Sequence, residues 1–195
     1  MATALVPIAN GTEEIEAVTI IDTLRRADIE VTVASCAEGS KEITCSRGVR
    51  LVADEQITDL IERQFDLIAL PGGMPGAEHL RDCQPLKAII LPHLTNQRWL
   101  AAICASPAVI LTYHNWLSGP ATCHPAFQRI LPETKKRTAE AVVIDHGNKT
   151  LTSQGPGTAL AFSLAIIEVL LGKSKAEEVA GPMCINVAGR YEQLS

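Results

Sequence analysis

The sequence has no surplus of positive charge. Lys and Arg number 17 against 22 Asp and Glu, a formal net charge of −5. A general nucleic-acid coat needs a basic face, so strong general nucleic-acid binding is not expected. A long apolar run is also missing. The longest mostly apolar stretch, Ala159 to Leu171, contains Ser163 and Glu168 and is too short to cross a bilayer. The opening residues MATALVPIANGTEEIE carry no basic segment before the apolar stretch, so no secretory signal is expected. Six cysteines occur (Cys36, Cys45, Cys83, Cys104, Cys123 and Cys184), but no C-x-x-C pair. They read as free thiols in a reducing, cytoplasmic setting rather than as a disulfide framework.

What is there is apolar and regular. Hydrophobic residues make up 47% and charged residues 20% of 195 positions, a globular profile with chain enough for one domain, expected over 1–195. Residues 2–9 read as an apolar strand. Asn10 then caps a helix that runs to about Asp28, its buried stripe formed by Ile15, Val18, Ile21 and Leu24. Further strands are expected at 29–35, 43–45, 49–53, 66–70 and 99–104. A hairpin pairs 141–145 with 149–154. Helices are expected at 86–94, where Pro92 puts the last turn in doubt, at 105–113 and at 158–171. Continuous apolar strands separated by helices indicate an α/β fold, a mainly parallel sheet covered on both faces. Ligands then bind at the carboxyl ends of strands, which brings Asn10–Glu16, Pro71–Gly73 and Cys104 to one edge.

Cys104 ends an apolar strand and starts a helix. A cysteine in that place is ordinarily an inert core residue. The alternative is a thiol whose pKa is lowered by the helix amides, with the N–H groups of Ala105 and Gly73 available to an oxyanion. Glu16, at the rim of the first helix's buried face, is a carboxyl placed to hydrogen-bond a thiolate or shuttle a proton. Glu13 and Glu14 read as complements to the helix's positive end. His124 reads as a strand-terminal base, or else a structurally bonded histidine. Cys123 and His124 point to opposite faces of a strand, so no metal site is expected. Gln154–Thr158 lacks the lysine of a phosphate loop and reads as a strand-to-helix turn.

Six fragments, in order, resemble the ThiJ/PfpI superfamily, in its YajL and Parkinsonism-associated deglycase branch. They are GTEEIE (11–16), TCSR (44–47), LPGG (70–73), AAICA (101–105), Thr122 with His124-Pro125, and LTSQGPGT (151–158). The resemblance spans essentially the whole chain and implies a flavodoxin-like sandwich working as a homodimer. It implies that Cys104 is an oxidation-prone nucleophile, Glu16 its hydrogen-bonding carboxyl and His124 the histidine beside it. Gly72, Gly73 and Ala105 match the surrounding loop and its amides, and Arg47 matches a position near the dimer contact and the site. The implied activities are deglycase repair of early methylglyoxal and glyoxal adducts on proteins and nucleotides, and conversion of methylglyoxal to lactate, with no cofactor. A redox-regulated chaperone of the oxidative stress response, with oxidation of the same cysteine as its signal, is the alternative. Ser106 and Cys123 depart from the family pattern. The late histidine of related glutaminases is missing, since none follows His146.

Overall fold

The runs ALVPI, LIAL and WLAAI carry no polar side chain, so neither face of such strands can sit against water. The computed structural model, which describes residues 1–185, places all three at the centre of one sheet. The strands are β1 (Thr3–Ile8), β2 (Glu30–Ser35), β3 (Glu42–Thr44), β4 (Arg50–Val52), β5 (Glu55–Gln56), β6 (Leu67–Leu70), β7 (Trp99–Ile103), β8 (Val142–Asp145) and β9 (Thr150–Ser153). The helices are α1 (Glu14–Arg26), α2 (Gly76–Asp82), α3 (Gln84–Thr95), α4 (Ala159–Leu171) and α5 (Lys173–Ala180). The main sheet has the order β5-β2-β1-β6-β7-β9-β8 and is parallel except for β8 against β9; β3 and β4 pair separately. This is the flavodoxin-like α/β architecture.

Strand order reverses between β1 and β6. From β1 the chain crosses to β2 on one side, and from β6 to β7 on the other. Right-handed crossovers running in opposite directions put their helices on opposite faces. Accordingly α1 packs against α4, and α4 against α5, while α2 packs against the turn 107–112. The crevice at the reversal is where ligands bind in such sheets. It opens at the carboxyl ends of β1 and β6, with β7 alongside.

Several local expectations need correction. Ile15 and Val18 are 56% and 45% exposed, so they do not belong to the buried stripe of α1. The buried face is Glu16, Ala17, Ile20, Thr23 and Leu24, spaced at i, i+1, i+4, i+7 and i+8. Glu16 therefore sits within that face rather than at its rim. The N-cap is Glu13, whose carboxylate accepts from the Glu16 N–H; Asn10 Oδ1 instead accepts from the Thr44 N–H at 2.9 Å. Helix α3 starts earlier than expected and runs past Pro92 to Thr95. The helix after Cys104 is a π-helical turn, Pro107–Thr112. His124 caps a short 3-10 turn, Pro125–Phe127, and ends no strand. Helices α2 and α5 were not expected: both are short, and neither carries a strong apolar period.

Candidate active site

Three segments converge where β1, β6 and β7 end. The chain leaves β7 at Cys104 with φ 64°, in the left-handed region that a non-glycine residue enters at a cost of about 1–2 kcal/mol. Two hydrogen bonds hold the corner. The Cys104 N–H donates to Ser153 O at 3.0 Å, and the Cys104 carbonyl accepts from the His124 N–H at 2.8 Å. Cys104 is 8% exposed. It lines a cavity of about 250 Å³ together with Glu13, Arg47, Gly73, Ala105 and His124.

Glu16 reaches this corner from the first turn of α1 and is fully buried. Its Oε2 accepts from the Gly72 N–H at 2.7 Å, while Oε1 has no nitrogen or oxygen partner. The carboxyl also hydrogen-bonds the Cys104 thiol. Burial pushes Glu16 up to about 7, against the hydrogen bonds from Gly72 and Cys104. A protonated carboxyl at neutral pH fits an oxygen that accepts from no N–H or O–H. Cys104 does not show the lowered pKa expected from a helix start. Burial, then the charge and hydrogen bond of Glu16, push it up to about 12. The Gly73 and Ala105 N–H groups pull the other way, and they donate to the sulfur itself. The two acids thus compete for one buried negative charge.

Two glycines make the approach possible. A Cβ on Gly72 would lie 2.6 Å from Cys104 Cβ and 3.0 Å from Glu16 Oε2. Gly73 has φ 89°, and a Cβ there would collide with Glu13 N and Gly11 O. Ser106, the departure after Cys104, is fully buried, and its hydroxyl donates to Pro71 O at 2.6 Å. That hydroxyl clamps the β6 loop to the β7 loop and is spoken for. Cys123 is also fully buried and lies outside the cavity lining; burial pushes its thiol up to about 11.

His124 Nδ1 accepts from the Ala126 N–H at 3.2 Å, which leaves the neutral ring with its proton on Nε2. The ring lines the cavity as a donor, rather than as the base the sequence suggested. Arg47 is exposed at the rim, and its side chain has no ion-pair partner among the described residues. Glu14, read from sequence as helix trim, holds that rim. Its carboxylate accepts from Ser46 Oγ and the Arg47 N–H, both at 2.8 Å. Burial opposes its charge, but these bonds and those of its own and the Val49 N–H keep it below the ordinary value. Pro156 adds a wall from the 154–158 turn, where Thr158 Oγ1 accepts from the Gly155 N–H at 3.1 Å. The part played by Glu14 had no local signal, because its partners Ser46 and Arg47 are distant in sequence.

The pattern of the DJ-1/PfpI family matches residues 2–169. The chain belongs to the DJ-1/PfpI family. It is 44% identical to Protein DJ-1 homolog B of Arabidopsis thaliana over 92% of its own length, and spans only 40% of that protein. With the Caenorhabditis elegans protein named Glutathione-independent glyoxalase DJR-1.2 it shares 33% identity over 89% of this chain and 90% of that one. The solved structure of oxidized Toxoplasma gondii DJ-1 superposes with TM-score 0.91 at 42% identity, covering 95% of this chain and 99% of that one. Among the described residues of this family member, no helix is long and apolar enough to cross a membrane.

Proposed function

We propose that the chain is a cysteine-dependent enzyme that needs no cofactor and acts on α-oxoaldehydes or their early adducts, yielding a 2-hydroxy acid. One observation carries this reading: a sulfur at a strained corner, open to a small cavity, lies against a buried carboxyl. The similarity to a relative named as a glyoxalase supports the substrate class.

The chemistry runs on the proton that Glu16 and Cys104 share. When Glu16 holds it, the sulfur is a thiolate held by the Gly73 and Ala105 amides. The thiolate adds to the aldehyde carbon of methylglyoxal. Once sulfur is bonded to carbon it loses its charge, and those amides are released to the new oxygen. Glu16 protonates that oxygen, which gives a hemithioacetal and an ionised carboxylate. The carboxylate then removes the proton from the former aldehyde carbon, and the His124 Nε2–H donates to the neighbouring ketone oxygen as the enediol forms. Glu16 returns the proton to the second carbon while the hydroxyl proton on the first carbon passes back to His124 Nε2, which leaves a thioester. Water cleaves it, releasing lactate and the Cys104 thiol; one water is consumed and no electron leaves the substrate. Arg47, cationic at the rim, suits the carboxylate product or a phosphate-bearing adduct.

A homodimer accounts for the apolar residues left uncovered. Ile15, Val18, Val49 and Val52 are all exposed on the single chain, and Val18 and Val52 border one groove with Ile21 and Leu51. The test of function is lactate formation from methylglyoxal without added thiol. Wild-type protein should form lactate and Cys104→Ser should not. Equal rates from the two, or none from either, would overturn the reading. Peroxide-dependent protection of a client protein without lactate would favour oxidation of the same sulfur as the signal.

A further inference from the structure

A pair of thiols lies on the same edge of the sheet, beyond β1. Cys36 follows β2, where its N–H donates to Ile8 O at 2.8 Å. Cys83 joins α2 to α3 and is the N-cap of the twelve-residue α3. Both side chains line one open cavity of about 320 Å³, bordered also by Asn10, His79 and Asp82. The two side chains hydrogen-bond each other, and both are partly exposed. Neither borders the Cys104 cavity.

We propose that Cys36 and Cys83 form a redox-active dithiol that a hydroperoxide closes to a disulfide, independently of Cys104. The surroundings divide the roles. The Cys36 thiol and the Leu86 N–H, at the start of α3, favour a thiolate on Cys83 and hold it below the ordinary thiol range, although burial opposes this. Cys36, hydrogen-bonded to that sulfur and partly buried, is pushed well up and keeps its proton. One sulfur is thus the attacking thiolate and the other the resolving thiol. The Cys83 thiolate attacks the peroxide, the O–O bond breaks, and with one proton from solvent the products are Cys83 sulfenic acid and an alcohol or water. The Cys36 sulfur then forms the S–S bond and displaces hydroxide, which leaves as water with the Cys36 proton. Two electrons pass from the sulfur pair to the peroxide. His79 can carry that proton: its Nδ1–H donates to Asn10 O at 2.7 Å, which leaves Nε2 as an acceptor. A thiol reductant reverses the reaction.

Peptide mapping of the intact protein under non-reducing conditions, after mild hydrogen peroxide, tests this. A peptide pair linking Cys36 to Cys83 should form in wild type and in Cys104→Ser alike, and disappear on thiol reduction. Cys36→Ser should instead leave Cys83 as a sulfenic acid that dimedone captures. At a peroxide dose that oxidises Cys104, finding both thiols free, or each oxidised without a link, would overturn the proposal. So would a link that needs Cys104. Because the link is sought without Cys104, its failure is separate from any failure of the proposed enzyme chemistry.

Discussion

Cys104 and Cys83 both stand at the start of a helical turn on the carboxyl edge of one sheet, yet their pKa values are driven in opposite directions. Cys104 has a buried carboxyl for a neighbour and is pushed up to about 12. Cys83 has a second thiol, which stays protonated and donates to it, and is held low. Backbone amides act on both sulfurs, those of Gly73 and Ala105 on Cys104 and that of Leu86 on Cys83, so an amide donor alone does not decide reactivity. The neighbour does, by whether it brings a negative charge or a proton. At Cys104 the neighbour is a carboxyl raised to about 7, which brings a proton below that pH and a charge above it.

The largest expected effect removes one side of that comparison. Cys104→Ser should lower lactate formation at least about 10³-fold, measured by steady-state turnover, because a serine hydroxyl beside Glu16 lacks an accessible anion. The Cys36–Cys83 reaction should be untouched.

Next comes the cost of the buried carboxyl. Glu16 is raised from its ordinary 4.5 to about 7 in the fold. Its stabilising effect is fully present below pH 4.5 and is lost as pH rises through 7, amounting to about 3 kcal/mol. Urea unfolding at pH 5 and pH 8 should show wild type losing stability over this window. Glu16→Gln should lose much less over the same interval, while its turnover falls about 10²-fold because an amide cannot relay the proton.

A smaller effect probes the close approach itself. Gly72→Ala forces a methyl to within 2.6 Å of Cys104 Cβ, at a cost of about 2 kcal/mol in unfolding free energy. Gly157→Ala, where the added carbon meets nothing within 4 Å, should cost less than about 0.5 kcal/mol. Equal losses at the two glycines would remove the steric argument for Gly72.

Much of the architecture was legible because it is written locally. Strands without a polar residue, such as LIAL and WLAAI, have only one place to go, and the corner after WLAAI follows from the residues that end it. The α1 stripe departs from the expectation because Ile15 and Val18 lie on the outward side of the helix, while Ile21 is partly buried against the core. The pKa of Cys104 was misread in sign. Its dominant influences are burial and a carboxyl 88 residues earlier in the sequence, neither visible from the helix start. The role of His124 changed for a similar reason, since the Ala126 N–H occupies the nitrogen that a base would use.

The most direct measurement is the pH profile of iodoacetamide alkylation at Cys104, in wild type and in Glu16→Gln. If a shared proton makes the thiolate, wild-type reactivity rises as pH passes about 7, levels off, and rises again only toward pH 12. Glu16→Gln should lose the neutral step and show a single rise at higher pH. Superimposable profiles from the two proteins would contradict the account.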